Sequence, residues 1–405
     1  MSGQLSDGYG ELFRVHWRAA VAATTRLTGD LEVAEDAVQE ACALALAKWP
    51  ADGVPANPRA WLCGTARHKA LDRMRRESLR PGKEAAATRE PAADPAGSDA
   101  DELGLIFMCC HPALDPAARI ALTLRSLCGL DTRSIAAAFL LPEATVAQRI
   151  VRAKRKIRDA GIRLRVPDSE ELPARLAAVL RVVYLVYNEG HMASSGPELV
   201  RGELCDQAID LARALTALLP GEPEAAGLLA LLLLTDARRD ARTGDCGQLV
   251  LLADQDRSRW DRAKIDEGER LLETALRAGR PGPYQLHAAI AACHSCASSA
   301  DQTDWREIAA LYGELIRHEP TAVIEANRAV AVAMSEGPAA GLVILDALGA
   351  SPRIASWPQF HIARAELLTR VGRHADAAQA YRAALGLAMS APAQAFVESR
   401  LAALG

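Results

Sequence analysis

The chain has 405 residues, half of them apolar and only 4% aromatic, with a net charge of −4. That length suggests two to four domains, and a composition dominated by Ala and Leu favours packed helices over sheets. The longest apolar run, AAGLLALLLL at 225–234, is half a membrane span, so no transmembrane helix and no membrane partner are expected.

The N-terminus has no basic segment followed by an apolar one, and nine cysteines stand without a disulfide-like framework. Both features point to a cytoplasmic protein with reduced thiols. Charge is uneven. Residues 1–165 carry 24 Lys and Arg against 20 Asp and Glu, whereas 166–405 carry 23 against 31 and sum to −8. Two stretches are basic, 59–80 at +5 and 119–165 at +8, the pattern of a two-point contact with a polyanion.

Residues 1–77 read as helices. Asp30 caps one whose apolar positions are Val33, Ala37, Val38, Ala41, Leu44 and Ala45. Its other face carries Glu32, Glu35, Asp36, Gln39 and Glu40. The segment WPADGVPANP (49–58) is expected to stop this helix. A second helix follows, with Asn57 as cap and Pro58 at its first position. It turns Leu62, Ala66, Ala70 and Met74 inward and Arg59, Arg67, Lys69, Arg73, Arg75 and Arg76 outward. Residues 78–102 are rich in Ala, Pro, Asp and Glu with one large aliphatic residue, and read as a flexible acidic linker.

Apolar periodicity resumes at Leu103 and defines a second small domain, 103–165. In it, Ile135 and Phe139 share a face of a short helix, a turn follows at Leu140–Pro142, and a longer helix has Val146, Ile150, Ala153 and Ile157 as an inward stripe. Two helices joined by a tight turn have helix-turn-helix geometry. Thr145, Gln148, Arg149, Arg152, Lys154, Arg155 and Lys156 are then the candidate DNA contacts, Gln148 and Arg149 for base edges and the later cations for phosphates. A solvated basic face on a core helix reads equally well from this segment alone.

From 166 to 405 the chain looks repetitive. Gly337 and Gly372 lie 35 residues apart, Tyr312 and Tyr381 lie 69 apart, and GRHADAAQAYRAAL (372–385) has the spacing of a tetratricopeptide-type helix. AIDLARALTALLPGEPEAAGLLALLLL (208–234) repeats the theme of helix, proline turn and helix. A period near 34 residues implies stacked helical hairpins.

The order of acidic-faced helix, Pro-rich loop, basic helix, linker and helix-turn-helix resembles the extracytoplasmic-function (ECF) sigma factors of bacterial RNA polymerase. The resemblance rests on AEDAVQEACALALAKW (34–49), NPRAWLCGTARHKALDRMRR (57–76) and DTRSIAAAFLLPEATVAQRIVRAKRKIR (131–158). The tail, with YLVYNEGHMAS (184–194) and DQDRSRWDRAKIDEG (254–268), is similar to the long extension of one ECF subgroup. The resemblance implies an all-α fold of two promoter-reading domains and a tetratricopeptide-like extension. It implies a transcription initiation factor whose partners are core polymerase and promoter DNA. Asp36, Gln39 and Glu40 would dock on the polymerase clamp helices, and the loop 49–58 would capture a flipped base of the minus-ten element. Asn57, Arg59, Arg67, Lys69, Arg73 and Arg76 would follow the opened strand, with Trp61 as a stacking or core residue. The helix after Pro142 would read the minus-thirty-five element, and the acidic extension would bind a protein, such as a regulator. His68 stands where many relatives carry Asn. A regulator that binds DNA through the same helix-turn-helix without serving as a polymerase subunit is the alternative.

No phosphate-cradling loop, nucleophile elbow or dinucleotide fingerprint occurs, so no enzymatic activity and no cofactor are expected. Cys109–Cys110–His111 and CHSC at 293–296 contain soft ligands but lack two spaced pairs, and they read as core cysteines, not a metal site. Glu189 and His191 lack the spacing of a metalloprotease helix.

Overall fold

The computed structural model describes residues 2–78, 98–139, 141–244, 247–349 and 352–404. Most of the linker and Leu140 therefore lie outside the described residues. The fold is all-α, and among the described residues extended pairing is confined to two isolated bridges. The chain forms two compact units, residues 1–185 and 186–405.

In the first unit, α1 (Ser2–Thr28), α2 (Leu31–Asp52) and α3 (Pro58–Ser78) pack on one another. Asp30 caps α2, accepting from Glu32 N at 2.8 Å and Val33 N at 3.3 Å. Ala34, Ala37, Ala41 and Ala45 are buried, small enough to bring the helices close. The expected stop at residue 49 is corrected: α2 runs through Pro50 to Asp52 and ends at Gly53, whose φ is 81°. The ring at Pro50 removes one helical donor, but Gly53 N still closes on Trp49 O at 2.9 Å, and only residues 53–57 form the loop. Asn57 Oδ1 accepts from Ala60 N at 3.0 Å and starts α3.

Four more helices follow in the same unit: α4 (Asp99–Cys109), α5 (Pro116–Ser126), α6 (Thr132–Ala138) and α7 (Glu143–Asp159). The linker boundary moves, because residues 99–102 open α4, capped by Ser98, and Asp101 and Glu102 are buried. Composition hid this; each carboxylate is buried against a cation of another helix. α6 and α7 meet at 115°, and Val146, Ile150, Ala153 and Ile157 are buried as their spacing predicted. Among the described residues no single helix is long and apolar enough to cross a membrane.

α8 (Leu172–His191) carries the border between the units, and helical pairs follow. α9 (Gly202–Leu218) and α10 (Pro223–Asp236) flank a proline turn. The leucine run of α10 is buried on all sides because α9, α11 (Arg262–Leu276) and α12 (Pro283–Cys296) surround it. Then come α13 (Trp305–His318), α14 (Ala322–Glu336), α15 (Pro338–Leu348), α16 (Pro352–Ala355), α17 (Pro358–Arg370), α18 (His374–Leu385) and α19 (Ala391–Ala402). The pairs α14/α15 and α17/α18 begin 36 residues apart at both helices. Tyr312 and Tyr381 are each the eighth residue of a second helix, in hairpins two repeats apart. This is a tetratricopeptide-like stack, each hairpin burying its face on the next.

Candidate nucleic-acid and polymerase interface

The outer face of α7 presents the reading set. Gln148, Arg152, Arg155 and Lys156 are exposed, and Thr145 and Arg149 half-buried. Among the described residues, Gln148, Arg149, Arg152 and Lys156 make no hydrogen bond or ion pair with another side chain, whereas Arg155 pairs with Asp159 at 3.3 Å. Lys154 differs from its neighbours. Its Nζ donates to Glu35 Oε2 at 3.0 Å, within the first unit.

Glu35 was read from sequence as part of the outward acidic face. The structure corrects this: its side chain is 1% exposed. Leu31, Glu35 and Val38 follow the 4/3 spacing of an inward stripe, so Glu35 rides the buried side of α2. There it accepts from Ser126 Oγ at 2.5 Å and pairs with Arg125 Nε at 3.4 Å as well as with Lys154. Arg158 Nη1 reaches Asp30 at 3.1 Å, and Trp17 Nε1 donates to Ser126 O at 3.0 Å. Glu102 of α4 accepts from Arg18 at 3.1 Å and Arg59 at 2.9 Å, and Asp101 pairs with Arg26. Helices α1–α3 and α4–α7 are thus clasped through the buried carboxylates of Glu35, Asp101 and Glu102. Sequence reasoning missed Glu35, Ser126 and Glu102; a carboxylate at inward helical spacing was the available signal.

The candidate strand-binding cations lie on α3. Arg73 Nη1 donates to Asp36 Oδ2 at 2.5 Å, and Lys69 sits 3.6 Å from Glu40. The structure therefore brings together two sets that the sequence treated as separate surfaces. Gln39 is exposed beside them, Arg67 is half-buried, and Arg76 donates to Asp72 O at 3.2 Å. Asn57 serves as the α3 cap, and Arg59 is paired with Glu102. Trp61 stacks edge-on against the buried Trp49, with centroids 5.3 Å apart, as part of a cluster with Tyr9 and Phe13. His68 Nδ1 lies 2.8 Å from Gly64 O.

The sulfur clusters divide. Cys109 and Cys110 are buried, and burial pushes both thiols up, Cys110 to about 11. Cys293 is half-buried, but Cys296 is exposed, so the core reading of CHSC is corrected at that residue. It lies on the outer side of the last turn of α12, where its Sγ donates to Glu269 Oε1 at 2.9 Å. Among the described residues no three metal-ligating side chains converge. Glu189 is held by Arg201 Nη1 at 2.5 Å, while His191 stacks on Tyr187, so the two do not form one site.

Sequence profiles match where this geometry lies. Residues 12–80 match sigma-70 region 2, and residues 104–157 match sigma-70 region 4. The chain is an ECF sigma factor. Residues 175–276 match a family of unknown function, DUF6596. The sigma factor is 43% identical over 392 residues to an uncharacterized protein of Rhizobium meliloti, covering 94% of this chain and 92% of that one. It is 28% identical over 174 residues to the probable ECF RNA polymerase sigma factor SigI of Mycobacterium tuberculosis, covering 40% of this chain and 59% of that one. Yeast Tom70 superposes with a TM-score of 0.38 and 13% identity, over 100% of this chain and 86% of that one, too slight a likeness to bear on the fold. As a sigma factor the chain works with core RNA polymerase at promoter DNA. The extension that follows its two sigma regions is helical throughout its regular elements.

Proposed function

We propose that residues 1–77 and 103–165 are the two promoter-gripping domains, joined by the linker, and that the clasp between them is a resting form. The observation that carries this is the buried Glu35 carboxylate tied to Lys154 of the reading helix. Promoter elements named for positions ten and thirty-five are about 85 Å apart along B-form DNA at 3.4 Å per base pair. Domains packed side by side cannot grip both, so engagement requires the clasp to open.

On opening, Gln148 and Arg149 read base edges from the first turns of α7, and Arg152, Lys154, Arg155 and Lys156 hold phosphates. Asp36, Gln39 and Glu40 dock on the polymerase, and Arg59, Arg67, Lys69, Arg73 and Arg76 follow the opened strand below the 53–57 loop. Asn57 holds that loop to the start of α3. The exposed pairs Asp36–Arg73 and Glu40–Lys69 are worth about 0–1 kcal/mol each, so exchanging them for polymerase cations and DNA phosphates costs little. The residues 166–405 form a protein-binding extension, whose net charge of −8 disfavours DNA and suits a basic regulator.

Energy transfer between dyes at the exposed positions Val54 and Val151 tests the opening. Transfer is expected to be high in the free chain and to fall when core polymerase and promoter are added. Unchanged transfer during initiation rules out the resting form.

A further inference from the structure

The extension holds a pocket of about 580 Å³ that the promoter-reading scheme does not use. Its volume lies within the range of small-molecule sites. Leu251, Val330, Trp357 and Phe396 supply an apolar wall, and Asn188, His191, Asn327 and Gln359 the polar groups. Among the described residues no Asp, Glu, Lys or Arg lines it. His191 is kept uncharged by burial and by Arg242, Arg238 and Arg239, which hold its pKa well below the ordinary value. The lining is therefore neutral near pH 7.

The Gln359 carboxamide is incompletely satisfied. Among the described residues its Oε1 is buried without a partner, and its Nε2 donates only to the Met192 sulfur at 3.4 Å, a weak acceptor. So loosely held an amide can swing to present its oxygen to a donor. An unsatisfied buried carbonyl at a cavity wall is a recognition group in search of an N–H or O–H.

The pocket also lies on a seam. Its walls come from the end of α8, the 249–251 segment, α14, α17 and α19, so the first and last elements of the second unit both line it. Beside it the same two ends are joined by Ala391 N donating to Gly196 O at 2.9 Å. An occupant therefore bridges the first and last elements of the helical stack.

We propose that this pocket binds an uncharged, mostly apolar small molecule carrying a hydrogen-bond donor, which Gln359 accepts, and that binding locks the closure of the stack. The site stands independently of the sigma-factor reading.

The test uses the full chain with three probes: 2-naphthol, naphthalene without the donor, and 2-naphthoate with a charge. Calorimetry and thermal unfolding report binding. 2-Naphthol is expected to bind saturably and to raise the unfolding temperature of the extension. The other two are expected to bind about tenfold or more weakly, the difference of one hydrogen bond or one charge desolvated. Ala363→Trp, which fills the pocket, is expected to abolish binding, and Gln359→Leu to erase the preference for 2-naphthol over naphthalene. Where Ala363→Trp fails to fold by circular dichroism, Val330→Trp, on the α14 part of the lining, replaces it. No saturable binding of 2-naphthol overturns the proposal, as it would if the pocket seats only a side chain of a protein partner. Equal or tighter binding of 2-naphthoate, or binding unaltered in the folded pocket-filling variant, overturns it as well.

Discussion

Glu35 shows how one side chain governs two surfaces. Its carboxylate is buried and satisfied by a hydroxyl and two cations, a good geometry for a buried ion pair. Removing the charge leaves Lys154 and Arg125 without their anion, so Glu35→Gln is expected to cost about 3 kcal/mol in denaturant unfolding of the first unit. The same variant should lower transfer between the dyes in the free chain. On the outer face of α7 the division of labour is different. Arg149→Ala should change which promoter bases are preferred, because a bidentate base contact is worth about 1–3 kcal/mol. Lys156→Ala should weaken all sites alike and reduce the salt slope by about 1, as expected of a phosphate contact. Equal effects of both substitutions on a promoter panel would contradict that assignment. In the extension, burial lowers His287 and His294 to about 4, with Arg238 and Arg257 adding to the effect at His294. Their folded values lie below the unfolded value of 6.5, so the folded state binds fewer protons on acidification. Extension stability should be flat above pH 6.5 and fall between pH 6.5 and 4, by at most about 3 kcal/mol per histidine. Urea melts at pH 7 and 5 measure this.

At the scale of elements, the hairpin α14/α15 depends on contact without a side chain. A Cβ at Gly341 would lie 2.5 Å from Ala329 O and 2.5 Å from the Ala333 methyl, so Gly341→Ala must push the helices apart. The expected loss is about 1–3 kcal/mol of extension stability, measured by thermal unfolding. Two helix starts were legible because caps are local chemistry: Asp30 and Asn57 each accept from backbone donors of the turn they start, and the structure adds Asp131 at the start of α6. Asp131 is held below the usual carboxylate range by its Ser134 backbone donor. Repeat phase was legible too, since Tyr312 and Tyr381 mark the same turn of two hairpins. What was not legible depended on partners distant in sequence. Nothing near Glu35 announces Lys154, 119 residues on, and nothing near Glu102 announces Arg18 and Arg59. Pro50 misled because a proline at a helix end forfeits little when the next turn closes on glycine. Cys296 misled because an Ala-rich helix does not reveal which of its faces is covered.

For the molecule as a whole, the two sigma regions were recognisable as an ordered set of blocks, although the helix-turn-helix segment alone fitted a solvated basic helix equally well. The exposed face of α7 was legible from its spacing, but its ties to α2 were not, because a clasp between distant helices leaves no periodic trace. Two of the candidate docking acids, Asp36 and Glu40, pair with two of the candidate strand-binding cations, Arg73 and Lys69, across α2 and α3. The pairs at Asp36–Arg73 and Glu40–Lys69 are weak and partly exposed, whereas Glu35 is held firmly in the interior. The most direct measurement is transcription in a purified system, with core polymerase, a promoter library and the full chain. The account predicts promoter-dependent initiation that requires the chain, with start sites selected by a shared upstream element that shifts in the Arg149→Ala variant. A chain that binds duplex DNA yet never supports initiation with core polymerase would contradict it.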